Sequence, residues 1–112
     1  MEIPQKAKRL RIYVGESDRA DGKPLYEAIV IAAKKAELGG ATVFRSPMGF
    51  GKTSRLHTEK ILQLSSDLPI IIEIVDEEAK LTAFLDIIKP LMKGGLLTME
   101  DVSVLHYHGI EK

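Results

Sequence analysis

The chain has 112 residues, 45% hydrophobic and 29% charged, with no cysteine and with sixteen basic residues balancing sixteen acidic ones. That length supports one hydrophobic core, so a single domain over residues 1–112 is expected, and the composition excludes a disordered tail or a fibrous repeat. The lack of cysteine excludes disulfides, thiolate zinc sites and a cysteine nucleophile and fits a reducing cytoplasm; the absence of any apolar run near ~20 residues argues against membrane insertion, and the neutral balance argues against nucleic acid as a partner.

From Arg9 to Val14, Leu10, Ile12 and Val14 alternate with Arg9, Arg11 and Tyr13, the period-two pattern of a strand with one buried face. The basic cluster Lys6, Lys8, Arg9 and Arg11 reads as a solvated strand entry rather than a phosphate-binding face. A polar loop with Gly15, Asp18, Asp21 and Gly22 follows, and Pro24 suits a first helical turn, where a missing N–H costs nothing. The first helix is expected to bury Leu25, Ala28, Ile29, Ala32 and Ala36 and to close at Gly39 and Gly40, which tolerate the left-handed conformation.

Ala41 to Ser46 carries Thr42, Val43 and Phe44 and reads as strand two. Leu68 to Val75 is a denser third strand, with Ile70, Ile72 and Ile74 on one side and Ile71, Glu73 and Val75 on the other, which suggests a central position. Asp76 is the expected N-cap of a second helix whose stripe is Leu81, Phe84, Leu85, Ile88 and Met92 and which Gly94 and Gly95 end. Val102 to Tyr107 alternates again as strand four.

The order strand, helix, strand, strand, helix, strand predicts an α+β ferredoxin-like sandwich, a four-stranded antiparallel sheet with two helices on one face. Pro47 to Asp67 joins strands two and three with ~20 residues, where a hairpin needs about two to five, and insertions of that size are usually functional. Its latter part, Ser54 to Leu64, is compatible with a helix striped by His57, Ile61 and Leu64.

Met48-Gly49-Phe50-Gly51-Lys52-Thr53 places two glycines at a strand end, where main-chain N–H groups can face an anion and a lysine can neutralise it. A plain glycine turn fits the spacing equally well. Gly51-Lys52-Thr53 matches the end of a Walker A phosphate loop, but Ser46 stands at its first glycine position. Ile70 to Asp76 also reads like an apolar strand ending in a magnesium-binding aspartate. A P-loop hydrolase needs a larger parallel sheet covered on both faces, so this reading ranks second.

The sequence resembles the uncharacterised PII-like family of small bacterial and archaeal proteins, related to PII nitrogen-regulatory proteins and to CutA trimers. The stretches that carry the resemblance are Tyr13-Val14-Gly15-Glu16, Gly22-Lys23-Pro24-Leu25-Tyr26, Gly40-Ala41-Thr42-Val43, Met48-Gly49-Phe50-Gly51, His57-Thr58 and Leu68 to Asp76. What it implies is a homotrimer that binds an adenine nucleotide (ADP, ATP or AMP) in clefts between subunits. The phosphates would lie near the base of a T-loop, here the 47–67 insertion with Gly49, Phe50, Gly51, Lys52, Thr53 and His57, and near a glycine turn before strand four, here Gly94 and Gly95. That turn departs from PII, since Gly94-Gly95-Leu96-Leu97 lacks the following lysine. Relatives tend to carry glycine where Ser46 stands and no proline at Pro47, and no T-loop tyrosine occurs between Lys52 and Asp67, so uridylylation control is not expected. The resemblance further implies a regulator that works through its loop on a partner transporter or enzyme.

His106 and His108 share one face of the expected fourth strand and offer two imidazoles to a metal, although histidines on a terminal strand are commonly just solvated and no third ligand is evident. The serines form no nucleophile elbow, and Glu77 with Glu78 reads as favourable charge at a helix N-terminus. A non-enzymatic ligand sensor is therefore expected ahead of a P-loop-like hydrolase or a CutA-like divalent-metal protein. The strand pattern also places Tyr13, Ile71, Val75, Leu105 and Tyr107 on the face without helices, with Arg11 able to pair with Glu73 across it.

Overall fold

The structure is a computed structural model that describes residues 6–47, 49 and 68–108. In chain order the elements are β1 (Lys6–Gly15), β2 (Arg19–Ala20), β3 (Lys23–Pro24), α1 (Leu25–Lys35), β4 (Thr42–Arg45), β5 (Pro69–Asp76), α2 (Glu78–Ile88), a 3-10 turn (Lys89–Leu91) and β6 (Leu96–Ser103). The main sheet is antiparallel throughout, in the order β4-β5-β1-β6, so the dense third strand is central as expected.

Both helices cover one face. Leu10, Ile12 and Val14 of β1 and Ile70, Ile72 and Ile74 of β5 form a core with Leu25, Ile29 and Ala33 of α1 and Leu81, Phe84 and Ile88 of α2. Six branched aliphatic side chains alternating on two neighbouring strands make this face dry, and each fully buried one contributes about 1.5–3 kcal/mol. The other face is half open. Its register places Phe44, Ile71, Tyr13 and Leu96 in one row across all four strands and Thr42, Glu73, Arg11 and Thr98 in the next. Phe44 and Leu96 are 47% and 55% exposed, so the row ends unburied at both edges.

Arg11 and Glu73 pair as expected, Nε donating to Oε2 at 3.0 Å. That hydrogen bond raises the Arg11 pKa above its ordinary value. Beside it, Arg9 Nη2 donates to Glu100 Oε1 at 2.5 Å, and Arg9 holds the Glu100 carboxyl below the usual carboxylate range. Lys8 bonds Asp101 and lies 3.7 Å from Glu78; the Asp101 bond raises the Lys8 pKa and lowers that of Asp101.

Several local expectations are corrected. The polar loop after β1 contains a hairpin, β2 and β3, whose turn residues Asp21 (φ 51°) and Gly22 (φ 78°) are both left-handed, as a type I′ turn requires. Pro24 is the N-cap of α1 rather than its first residue, and the fully buried positions are Leu25, Ile29 and Ala33, while Ala28, Ala32 and Ala36 are only partly buried. The helix does not close on glycine: Glu37 takes the left-handed position (φ 58°), with Leu38 N–H donating to Ala33 O and Glu37 N–H to Lys34 O. This doubly bonded closure folds Leu38 into the core, and burial of that leucine offsets the ~1–2 kcal/mol a side chain costs in the left-handed region.

The second helix ends at Ile88, because Pro90 lacks the N–H an α-helix needs there and the chain tightens into the 3-10 turn before Gly94. Asp76 is not its N-cap. That position is Glu77, while Asp76 is the last residue of β5 and wholly buried. The fourth strand runs over 96–103 rather than 102–107, since pairing with β1 begins at Tyr13↔Leu96 and runs out at Lys6↔Ser103. Leu105 and Tyr107 therefore lie beyond the strand, and Leu105 is 89% exposed.

Candidate functional site

The antiparallel order brings the ends of β1 and β4 and the starts of β5 and β6 to one edge of the sheet. Main-chain bonds fasten this edge: Glu16 N–H donates to Leu68 O at 2.8 Å and Ser46 N–H to Pro69 O at 3.0 Å, which clamps the two stems of the 47–67 insertion. The Asp18 carboxylate accepts from Gly15 N–H at 2.9 Å, and Asp18 O accepts from Leu25 N–H at 2.7 Å, so the strand-to-hairpin corner is fixed as well.

Both predicted glycine turns lie on this edge. Gly49 adopts φ 156°, and a side chain there would begin 2.9 Å from Pro69 Cγ at the start of β5. Gly95 adopts φ 111°, and a Cβ there would lie 2.6 Å from Tyr13 O and 2.9 Å from Met92 Cε. Because β5 and β1 are neighbours ~4.8 Å apart, the two turns flank one stretch of backbone. Gly94 differs: nothing lies within 4 Å of its missing side chain, so its surface is open. Gly49, Gly94 and Gly95 thus lie on the same edge of the sheet, whereas Phe50, Gly51, Lys52, Thr53 and His57 lie outside the described residues.

The same edge carries charge that no local sequence pattern marks. Arg45 forms an ion pair with Glu16, and exposed Lys93 directly precedes Gly94. Lys93 is a cation on the near side of the glycine turn, where the sequence lacks one on the far side. Arg19 Nη2 donates to Gly22 O at 2.8 Å and braces the hairpin beside this corner. The signal for the hairpin was present as Asp21-Gly22, the dipeptide that favours a type I′ turn. Nothing local announces the Glu16–Arg45 contact, which joins residues far apart in sequence.

Among the described residues, Asp76 does not stand beside the glycine turns as the magnesium-binding aspartate of a P-loop would. Asp76 sits seven residues along β5 from Pro69, ~24 Å at ~3.4 Å per residue, and so at the opposite end of the sheet from Gly49. Its oxygens are also engaged, Oδ2 accepting from Gly39 N–H at 2.8 Å and Oδ1 from Glu77 N–H at 2.7 Å. That opposite end also holds a depression of about 470 Å³ lined by Lys6, Lys8, Glu78, Asp101 and Ser103, in which Lys8 is already paired. Among the described residues no three histidine, cysteine or acidic side chains group as a metal centre, and no helix is long and apolar enough to cross a membrane.

The chain is thus a ferredoxin-like sheet with a long insertion between β4 and β5, clamped at its base. The profile of the DUF190 family, described as Uncharacterized ACR, matches residues 7–104, and the chain belongs to that family. A UPF0166 protein of Aquifex aeolicus (strain VF5) is 46% identical over 101 residues, covering 90% of this chain and 95% of that one. A UPF0166 protein of Methanocaldococcus jannaschii is 35% identical over 100 residues, covering 88% and 92%. Among solved structures, CPII, a nitrogen regulatory PII-like protein from Thiomonas intermedia K12 bound to ADP, AMP and bicarbonate, superposes with a TM-score of 0.64 at 18% identity over 88% of each chain. At that identity the likeness is one of fold.

Proposed function

We propose that this protein is a PII-like regulator that binds an adenine nucleotide at the loop edge of the sheet and passes its state through the 47–67 insertion to a partner transporter or enzyme. The observation that carries this reading is that Gly49, Gly94 and Gly95 lie on the same edge of the sheet as the clamped base of that insertion. The relationship to a fold whose solved member holds ADP and AMP supports the choice of ligand. Gly51, Lys52 and Thr53 would continue the anion-facing main chain from Gly49, with Lys52 supplying charge and Phe50 and His57 flanking the ligand. Such a protein works in the cytoplasm by binding without turnover, and it controls a partner only if the nucleotide has different affinities for two loop states.

The cleft is proposed to form between subunits of a homotrimer. The face without helices supports this, because its row of Phe44, Ile71, Tyr13 and Leu96 is apolar and partly exposed beside the internally paired Arg11 and Glu73. Three copies packing these faces inward would remove the row from water. Light scattering at micromolar concentration should give about three subunit masses, and a single-subunit mass would remove the cleft from the proposal.

Titration calorimetry tests the ligand. Lys52→Glu and Gly51→Val should each lose at least about tenfold in affinity for ADP and ATP, roughly 1.4 kcal/mol, with Lys52→Glu losing less for AMP. Melting curves should show both variants folded. The reading fails if the parent binds no adenine nucleotide at millimolar concentration, or if both variants bind as well as the parent.

A further inference from the structure

The segment after β6 carries His106-Tyr107-His108 away from the sheet, at the end opposite the glycine turns: the eight residues from Gly95 to Ser103 span ~27 Å at ~3.4 Å each. Tyr107 is anchored there. Its hydroxyl donates to Gly39 O at 2.9 Å, and Gly39 N–H in turn donates to the buried Asp76 carboxylate at 2.8 Å. The segment therefore passes the start of β1 to reach a corner fixed to the end of β5.

The two histidines flanking Tyr107 are exposed, and their rings meet with centroids 4.7 Å apart and planes tilted by 42°. Among the described residues neither ring has a hydrogen-bond or ion-pair partner. Two nitrogens on one cation, each at about 2.0–2.1 Å, lie roughly 3 Å apart at tetrahedral or square-planar angles. Tilted rings with centroids 4.7 Å apart reach that separation by small rotations. Neutral imidazole prefers borderline cations, and among the described residues no carboxylate cage of the kind that suits magnesium or calcium is grouped with the two rings.

We propose that His106 and His108 chelate one borderline divalent transition-metal ion, with the remaining positions open to water, and that Tyr107 is a positioning residue that keeps the two imidazoles together. Copper(II) binds tighter than nickel(II) or zinc(II), following the usual order for nitrogen donors. The site is separate from the loop edge and needs neither a nucleotide nor a particular assembly.

The test uses the untagged full chain titrated with copper(II) and zinc(II) by calorimetry, with electron paramagnetic resonance on the copper-loaded sample. The parent should take up one equivalent of copper with two imidazole nitrogens in its spectrum. His106→Ala and His108→Ala should each weaken binding at least tenfold, and the double variant should abolish it. Tyr107→Phe should weaken it less while keeping both nitrogens in the spectrum, the mark of lost positioning rather than a lost ligand. His57→Ala, the third histidine of the chain, should bind as the parent does. The proposal is overturned if the parent binds copper no more tightly than the double variant, if each single variant retains the parent affinity, or if binding disappears with His57 instead. Both histidines are exposed, so circular dichroism should report an unchanged fold in every variant.

Discussion

The two ends of the sheet are held by different means. At the loop edge the chain is fastened by main-chain bonds, Glu16 N–H to Leu68 O and Ser46 N–H to Pro69 O, and by the absence of a side chain at Gly95. At the far end one buried carboxylate, Asp76, ties the α1 to β4 corner to the start of α2, and Tyr107 closes the same corner from the last segment. Backbone fastening is insensitive to side-chain identity except where space is missing. An edge built this way can carry exposed charges such as Arg45 and Lys93 without depending on them for its shape. A corner built on one side chain is rigid and intolerant.

The sharpest way to break this contrast is Asp76→Ala. It removes a wholly buried carboxylate and strands two part-buried N–H donors, those of Gly39 and Glu77, and should cost about 2 kcal/mol in urea unfolding, at ~1 kcal/mol or more per orphaned donor. A loss below about 0.5 kcal/mol would mean that water replaces the carboxylate and that the corner is not built on it.

At the loop edge the discriminating pair is Gly95→Ala against Gly94→Ala. The first forces a Cβ to 2.6 Å from Tyr13 O in a left-handed conformation and should cost about 2 kcal/mol; the second meets open space and should stay within about 0.5 kcal/mol. Equal melting temperatures for the two variants would refute the close approach at Gly95.

The smallest effect lies on the half-open face and its margin. Glu100 and Asp101 have pKa values lowered chiefly by their hydrogen bonds to Arg9 and Lys8. A depressed carboxylate adds stability that is present above its unfolded pKa of about 4 and is lost as pH falls through the lower folded value. Stability should therefore decline slightly on acidification below about pH 4, and less steeply in Glu100→Gln and Asp101→Asn than in the parent. Both groups are exposed, so high salt should flatten the parent's profile too.

Much of this molecule is legible from residue patterns. The alternation in Leu10, Ile12 and Val14 and in Ile70, Ile72 and Ile74 marks the two central strands, because a one-sided core imposes period two on whatever covers it. The Arg11–Glu73 pair follows once those strands are set side by side. The fourth strand is not legible at 96–103 because Leu97 and Met99 form a short alternation at a sheet edge, weaker than Val102 to Tyr107 taken alone, and only pairing with β1 selects between them. The helix closure at Glu37 is not legible in the sequence because it depends on the burial of Leu38, a tertiary contact that outweighs the local preference for glycine. Of the candidate site, the glycines were legible by type, but their gathering on one edge follows from the antiparallel order of all four strands.

The sequence by itself determined the class of fold and the family, since hydrophobic period, glycine and proline punctuation and a 47–67 insertion are local properties of the chain. The tertiary structure alone decided which distant residues meet: Glu16 with Arg45, Gly95 with Tyr13, and Asp76 with Gly39 and, through it, Tyr107. The reason is that such contacts depend on strand register and on where connections cross the sheet, and these are settled by packing one shared core rather than by the preferences of any single segment.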